Sequence, residues 1–306
     1  MHGIDIGCYT KEKGVILMDK YIRSALLANA ATLGVHWIYD HEWLKKQAKQ
    51  ASLLFKIQSK KDFDEAKPSY YVYPNMTLGD VSVQGQMMQW LYKAMKDNPD
   101  FTLNDYSKLV YKQFKPGGLY QGYVESYAKK HVIGLLSNEL SLGINQFELN
   151  DDHLVGFIPY FVSKELGLSN DKAFELTKLY SEDRSYYFYF KMFDYIFTHI
   201  KENKAASIRK AIELAPAKYQ AVLEKAITID DTEAFVENHA GRACAIKFSI
   251  PVIIHLLYHH KTFEDAMNAN ILIGGAIADR AMFLGAIYHQ IKPLDPVYKE
   301  KLPIRL

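Results

Sequence analysis

The chain has 306 residues, of which 49% are hydrophobic and 24% charged, with a net charge of +2. This composition is typical of a globular protein and argues against extensive disorder. The small net charge gives no bulk electrostatic reason to bind nucleic acid or an anionic membrane. Two cysteines in a chain of this length argue against a fold that depends on disulfides.

The sequence carries no recognisable targeting signal. Segment 1–13 lacks a basic region followed by an apolar one, so we expect no signal peptide. The longest apolar run is far shorter than the ~18 residues that a membrane span needs. We therefore expect a cytoplasmic protein. No repeat or linker divides the sequence, which predicts an N-terminal extension over residues 1–15 and one helical domain over residues 16–306.

Apolar residues recur with helical period through most of the chain, which predicts an all-α fold. The first helix is predicted over residues 16–33, with Gly34 supplying the positive φ of a helix C-terminus. Asp40 is predicted to cap a second helix that reaches about residue 54. The least helical stretch follows at residues 68–83. Further helices are predicted over residues 85–96, 104–114 and 122–140.

The second half of the chain continues the helical pattern, including an aromatic helix over residues 186–200 that we expect to be buried. Pro216 predicts a break in the helical pattern of residues 205–227. Pro251 is placed in the first turn of its helix, where proline is tolerated. The predicted N-caps of this half are Ser169, Thr232, Ser249 and Thr262.

Two groups of residues in the first half can form a binding site. Asn29, His36 and Trp37 lie around the end of the first helix and can line a pocket, although they also suit a capped loop whose Trp covers the core. Residues 79–86 are small and polar and come directly before a predicted helix. The free N–H groups of a helix N-terminus suit a phosphate or an acidic ligand. A plain N-cap by Ser82 or Gln84 is the simpler alternative for this segment.

Two further groups lie in the second half. Asp151 and Asp152 are adjacent carboxylates that can bind Mg²⁺ or Ca²⁺, although a helix dipole alone favours acids in a first turn. A Gly-Gly step at residues 274–275 lets the backbone approach a ligand closely. Asp279 and Arg280 form a charged pair in a long apolar run, which indicates either a functional site or a buried ion pair.

Six motifs, in order over about residues 16–292, resemble those of the ADP-ribosylglycohydrolase superfamily in its J-type crystallin branch. Residues 26–40 resemble A-D-A-x-x-L-x-x-H-W-I-Y-D, and residues 79–87 resemble G-D-x-T-x-Y-G-D-Q. The other four motifs lie at residues 122–125, 151–159, 241–251 and 274–281.

This resemblance implies a compact all-α domain with a central cleft, in which two Mg²⁺ ions bind ADP-ribose for hydrolysis. It implies catalytic roles for Asp151 and Asp152. The ligand-binding residues that it implies are Asn29, His36, Trp37, Gly79, Ser82, Gln86, Tyr123, Gly274, Gly275 and Arg280. The metal ligands that it implies are Asp80, Ser82, Asp152 and Asp279.

The chain departs from the family pattern at its metal ligands. Asn29 stands where the branch usually has Asp, and Gln86 replaces the acid of the second motif. Ala276 and Ala278 stand where the last motif of the glycohydrolases has Asp. Mg²⁺ needs hard oxygen ligands, which alanine does not supply, so we expect Mg²⁺ to bind weakly or not at all.

Three functions are compatible with these residues. The first is a protein that binds ADP-ribose, a related nucleotide or an ADP-ribosylated protein, with weak or no hydrolase activity. The second is an active metal-assisted hydrolase of ADP-ribosyl linkages. The third is a structural, crystallin-like protein. None of the three involves a membrane or a nucleic acid.

Overall fold

The apolar period of the sequence becomes a series of α-helices in the structure. The computed structural model describes residues 21–140 and 152–292, which contain fifteen α-helices and two short 3-10 turns. The helices α1 to α15 are, in chain order, Ile22–Thr32, His41–Ala48, Lys60–Glu65, Val83–Asp97, Leu103–Phe114, Ser126–Glu139, Ile158–Glu165, Asn170–Thr177, Ser185–His199, Lys204–Ile212, Ala217–Thr228, Thr232–His239, Ile246–His259, Phe263–Ile273 and Ile277–Ile291. The 3-10 turns are Leu33–Val35 and Leu154–Phe157.

No β-sheet forms in the described ranges. Two isolated antiparallel bridges, Ile38 with Ser69 and His153 with Ala245, are the β-type pairs found there. The predicted all-α class is therefore confirmed. None of the helices in residues 21–140 and 152–292 is long and apolar enough to span a membrane. The predicted boundary between residues 15 and 16 lies outside the described residues.

Helices α1 and α15 form the centre of the molecule. Every residue of α1 except Arg23 is buried, and α15 is buried throughout except for His289 and Ile291. A helix that is buried on all sides must be surrounded by other elements. The two helices pack against each other along their length, at a point where Gly285 lies directly on the backbone of α1.

Aromatic side chains fill the space between α15 and the predicted aromatic helix, which is α9. The ring of Phe157 lies 4.9 Å from Phe283 and 5.8 Å from Phe193 between centroids, in edge-on arrangements that aromatic quadrupoles favour. Tyr160 stacks on Phe190 at 4.8 Å. The predicted aromatic helix is therefore present, and one of its faces is buried as expected, whereas Phe188 on the other face is exposed.

Several local signals act as predicted. Asp40, Ser169 and Thr262 cap α2, α8 and α14, each accepting a hydrogen bond from the backbone N–H three residues further on. Pro216 separates α10 from α11, as expected from its missing N–H. These signals succeed because a cap or a break depends on neighbouring residues alone.

Other local predictions are wrong, because a tertiary contact overrides them. Helix α12 is capped by Asp231, and the hydroxyl of the predicted cap Thr232 pairs instead with His255 Nε2 at 2.9 Å. Helix α13 begins at Ile246, so that Ser249 and Pro251 lie inside it. The hydroxyl of Ser249 donates to the carbonyl of Ala243 rather than capping a helix.

The predicted end of the first helix also needs correction. Gly34 lies in a 3-10 turn and not at a positive φ. A Cβ atom at Gly34 would lie 1.8 Å from the carbonyl oxygen of Lys56, so glycine is required here for close packing of two chain segments. Helix α2 ends at Ala48, earlier than the predicted residue 54.

The contact between α1 and α15 can be tested with Gly285→Ala. Its Cβ would lie 2.3 Å from the carbonyl oxygen of Ser24 and 2.5 Å from the Cβ of Ala28, so one of the two central helices must move. Overpacking of this kind costs about 1–3 kcal/mol of unfolding free energy, measured by urea denaturation. Gly134→Ala is the matched control, because its Cβ meets nothing within 4 Å and should stabilise α6 by ~0.5–1 kcal/mol. Equal stability of the two variants would contradict this packing.

Candidate functional site

The side chain of Asn29 joins three segments of the chain. It is fully buried on α1, and its Nδ2 donates to Ser82 Oγ at 2.9 Å and to the carbonyl of Ala278 at 3.1 Å. Its Oδ1 accepts from the backbone N–H of Ser82 at 2.7 Å. Ser82 is the N-cap of α4, where its hydroxyl accepts from the N–H of Gly85. One amide group therefore holds the starts of α4 and α15 against α1.

His36 follows the 3-10 turn and is also fully buried. Its Nδ1 accepts from the backbone N–H of Ala278 at 3.1 Å, so the imidazole proton resides on Nε2. Nε2 faces Asp279 Oδ2 across 3.9 Å, which is too long for a hydrogen bond. Burial, together with the charge of Arg280, lowers the pKa of His36 to about 3, so the ring is neutral.

Two acids lie at helix starts beside His36. Asp279 is in the first turn of α15, and neither of its carboxylate oxygens has a hydrogen-bond partner among the described residues. Burial raises the pKa of Asp279 to about 7, against the opposing charge of Arg280. Glu125 is the N-cap residue of α6. Burial, and then the charge of Asp279, raise the pKa of Glu125 well above its usual range.

Gln84 and Tyr127 complete the group around these acids. Both lower the pKa of Glu125 and so favour its charged form, yet neither forms a hydrogen bond of ordinary geometry with it. We call His36, Gln84, Glu125, Tyr127 and Asp279 the acid cluster. Each member has at least one buried polar atom without a partner in the described ranges. Such atoms are costly without a partner, so their concentration in one place marks a candidate site for a ligand or for buried water.

Arg280 takes no part in the acid cluster through hydrogen bonds. It is fully buried and donates to Asn270 Oδ1 at 2.8 Å, to the carbonyl of Arg242 at 3.0 Å and to the carbonyl of Gly274 at 2.6 Å. These contacts fix the turn before α15. The side chain therefore stabilises the backbone here, and its ligand-binding role stays a prediction.

Gly274 and Gly275 have φ values of +82° and +73°, which glycine adopts without strain. Gly275 exchanges backbone hydrogen bonds with the segment after His36, accepting from Trp37 N–H and donating to Ile38. A Cβ at Gly275 would lie 2.2 Å from the carbonyl oxygen of Arg242. The glycines thus allow the chain to pack on itself, and their predicted contact with a ligand remains untested.

Aromatic rings surround this segment at the surface. The ring of Trp37 lies 5.4 Å from Tyr123 and 6.4 Å from Tyr70, and Tyr39 lies 6.0 Å from Tyr70. We call these four residues the aromatic rim. Tyr70 and Tyr123 are exposed, so their rings are available to a planar or sugar-like group.

A groove of about 220 Å³ is lined in part by Tyr73, whose ring lies 6.3 Å from that of His36 between centroids. Its lining includes Tyr73, Asp80, Gln86, Tyr120 and Gly122, and we call it the Tyr73 groove. The hydroxyl of Tyr73 accepts from the backbone N–H of Val83. Burial, and then the charge of Glu125, raise the pKa of Tyr73.

The predicted metal ligands do not form one donor set. Asp80 is exposed and accepts two hydrogen bonds from Thr77, in the turn where Gly79 has a φ of +100°. The Oγ of Ser82 is already engaged with Asn29 and Gly85. Asp152 accepts from the hydroxyl of Ser181, and Asp151 lies outside the described residues.

A group of three potential metal ligands lies at a different place. Among residues 21–140 and 152–292, three potential ligands approach within 4.8 Å of one another at His41, Glu42 and Glu233, on the surface. Lys45 already pairs with both of those glutamates. The residues implied for Mg²⁺ therefore do not fit a Mg²⁺ centre in this arrangement.

The structure brings together some of the predicted residues and separates others. Asn29, His36, Ser82 and Asp279 converge around the backbone of Ala278. Gln86 and Asp80 line the adjoining groove. Sequence reasoning missed Glu125, although the motif at residues 122–125 had an acid at that position. It also missed Tyr73 and Tyr127, for which no local signal exists.

The described residues thus define an all-α protein with a buried acid cluster, an aromatic rim and a small polar groove. No model of a known protein family matches the sequence. The chain is similar to Crystallin J1A of Tripedalia cystophora, with 25% identity over 289 residues that cover 87% of this chain and 84% of that protein.

The raised pKa of Asp279 gives a prediction for stability. The pKa of Asp279 is about 7 in the folded protein and about 4 in the unfolded chain, so between these pH values the folded state binds the proton more tightly. Ionisation of Asp279 therefore lowers the stability of the folded state as the pH rises. Asp279→Asn should therefore gain about 2–3 kcal/mol more relative to the parent at about pH 8 than at about pH 5.

The difference between variant and parent is the quantity to measure, by urea denaturation at both pH values. The lowered pKa of His36 acts in the opposite direction, because the unfolded chain gains that proton as the pH falls. Asp100→Asn, at an exposed loop position, is the control and should show no such difference. A pH-independent effect of Asp279→Asn would contradict the buried, raised-pKa carboxyl.

The role of Asn29 can be tested with Asn29→Asp, which restores the residue of the family motif. Aspartate has no N–H to donate, so it would set a carboxylate against the carbonyl of Ala278. We expect a loss of about 3 kcal/mol in unfolding free energy and no gain of Mg²⁺ binding. Asn98→Asp at the exposed end of α4 should be nearly neutral. Unchanged stability of Asn29→Asp would show that the amide does not hold the three segments.

Proposed function

We propose that this protein binds a small ribosyl ligand of the ADP-ribose class at the acid cluster, the aromatic rim and the Tyr73 groove, without the metal-assisted hydrolysis of the superfamily that it resembles. The observation that carries the proposal is the set of unpartnered buried polar atoms on His36, Gln84, Glu125 and Asp279. The ring of His36 lies 6.3 Å from that of Tyr73 between centroids, and Tyr73 lines a polar groove. A ribose offers hydroxyl groups that can both donate to such carboxylates and accept from the imidazole.

The charge of the site supports binding without hydrolysis. A two-metal mechanism places two divalent ions roughly 4 Å apart, which several ionised carboxylates must offset. Asn29, Gln86, Ala276 and Ala278 are neutral, and Asn29 is engaged in hydrogen bonds. The raised pKa of Asp279 favours its neutral form and so reduces the negative charge available to a metal. The remaining charge does not offset two divalent ions.

A structural, crystallin-like role is the second candidate, and the similarity to Crystallin J1A favours it. The interior also suits a structural protein, because both central helices are almost completely buried. This role requires no ligand at all. The same binding experiment therefore separates the two candidates.

The test is a calorimetric titration of the protein with ADP-ribose, with and without Mg²⁺. We expect binding that does not depend on Mg²⁺, and no metal-dependent release of ADP-ribose from a modified protein. Gln86→Ala should weaken binding about fivefold through the loss of one hydrogen bond. Gln50→Ala, at an exposed position after α2, is the matched control and should bind as the parent does.

Each other outcome contradicts the proposal in a different way. A folded protein that gives no heat with ADP-ribose would leave the crystallin-like role. Metal-dependent product release would show an active hydrolase and would return Asp151 and Asp152 to their predicted catalytic roles.

A further inference from the structure

The N-terminus of α4 is the predicted phosphate-binding element, and three of its N–H groups donate to acceptors within the protein itself. The N–H of Ser82 donates to Asn29 Oδ1 at 2.7 Å, and the N–H of Val83 donates to the hydroxyl of Tyr73 at 3.2 Å. The N–H of Gly85 donates to Ser82 Oγ at 3.3 Å. A phosphate gains most from helix N–H groups that are still free. With these three N–H groups engaged, the helix start offers a phosphate fewer free donors than an unoccupied helix N-terminus does.

The cation nearest in sequence to Asp279 is engaged in the same way. Arg280 donates to Asn270 and to the carbonyls of Arg242 and Gly274, which fixes its guanidinium in the turn before α15. At the rim, Lys129 lies over the ring of Tyr123 with its Nζ 4.9 Å from the ring centroid. Neither side chain is among those that line the Tyr73 groove.

Among the described residues, Asp80 is the charged side chain on the lining of the groove, and it is acidic. The charge of Glu125 also raises the pKa of Tyr73, whose ring lines the groove. The other polar groups of the lining are neutral: Asn75, Gln86, Tyr120 and Gln121. Neutral amides and phenols match the hydroxyl groups of a sugar, whereas an acidic surface repels a diphosphate.

The size of the groove agrees with its charge. Its volume of about 220 Å³ is below the ~300–1,000 Å³ of sites that enclose drug-sized ligands. A nucleoside or a single ribosyl group suits such a space better than a dinucleotide-sized ligand does. The exposed rings of Tyr70 and Tyr123 lie at the rim, where a base can pack against them.

We propose that the site recognises the uncharged ribosyl or nucleoside part of its ligand and makes no contact with phosphate. This inference rests on the proposed function, because it names the part of the ADP-ribose class that the site binds. It predicts that a phosphate-free ligand such as adenosine binds almost as well as ADP-ribose.

The experiment titrates the full chain with ADP-ribose, ADP, adenosine and ribose at two salt concentrations. A single charge-assisted hydrogen bond to phosphate is worth about tenfold in affinity or more. We therefore expect the dissociation constants of adenosine and ADP-ribose to differ by less than about tenfold, with no weakening of ADP-ribose binding at higher salt. Binding of ADP-ribose and ADP that is lost in adenosine, or that weakens with salt, would overturn the inference and leave the proposed function standing. No binding of any of the four would overturn the proposed function itself.

Charge variants of the groove test its position. Asp80→Lys should strengthen ADP binding relative to adenosine, because it adds a cation to the lining. Asp80→Asn keeps the acceptor for Thr77 and should change the ratio in the same direction by less. Asp100→Lys, beyond the other end of α4, is the charge-matched control. An unchanged ratio in both Asp80 variants would show that the ligand lies elsewhere.

Lys129 provides the opposite test. Lys129→Gln removes the cation at the rim and should leave the ratio of ADP-ribose to adenosine affinity unchanged. A selective loss of ADP-ribose affinity in this variant would show a phosphate contact and overturn the inference.

Discussion

The buried amide of Asn29 is the interaction on which the arrangement of the site depends. It offers donors to Ser82 and Ala278 and an acceptor to the backbone of Ser82, and all of these groups are buried with it. An amide can both accept from the N–H of Ser82 and donate to the carbonyl of Ala278, whereas a carboxylate can only accept. The starts of α4 and α15 are therefore held together by hydrogen bonds from one neutral amide, without a charged group.

The acids that remain are shaped by this closure. Asp279 and Glu125 each lie at a helix start, where the helix dipole favours a negative charge. Burial outweighs that effect and raises the pKa of both carboxyls. An ionised group inside the acid cluster therefore costs free energy, which supports our proposal that the occupant is a neutral, hydroxyl-bearing group.

The donors of the surrounding segments are also bonded within the protein. Tyr73 and Ser82 use the donors of α4, and Arg280 uses its donors on the turn before α15. What faces the groove is therefore a set of neutral amides and phenols with one exposed acid, Asp80. The strong donors near the groove are bonded within the protein, which is the basis of our proposal that the groove binds an uncharged, hydroxyl-bearing group.

The sequence by itself determined the helices and several of their limits. Asp40, Ser169 and Thr262 cap helices because a cap needs only the residue three positions on. The motif residues Asn29, Ser82 and Asp279 could be placed near one another because they belong to a resemblance with a fixed order. Local periodicity likewise sufficed for the all-α class.

Tertiary structure alone decided which groups are free to act. Ser249 lies inside a helix because its neighbours pack there, and Gly34 is needed because Lys56 approaches it from a distant segment. The predicted ligand Asp80 bonds with its own turn, while Glu125, which the sequence did not single out, lies beside Asp279. Sequence shows which donors and acceptors exist, but the three-dimensional packing determines which of them find partners within the protein and which remain for a ligand.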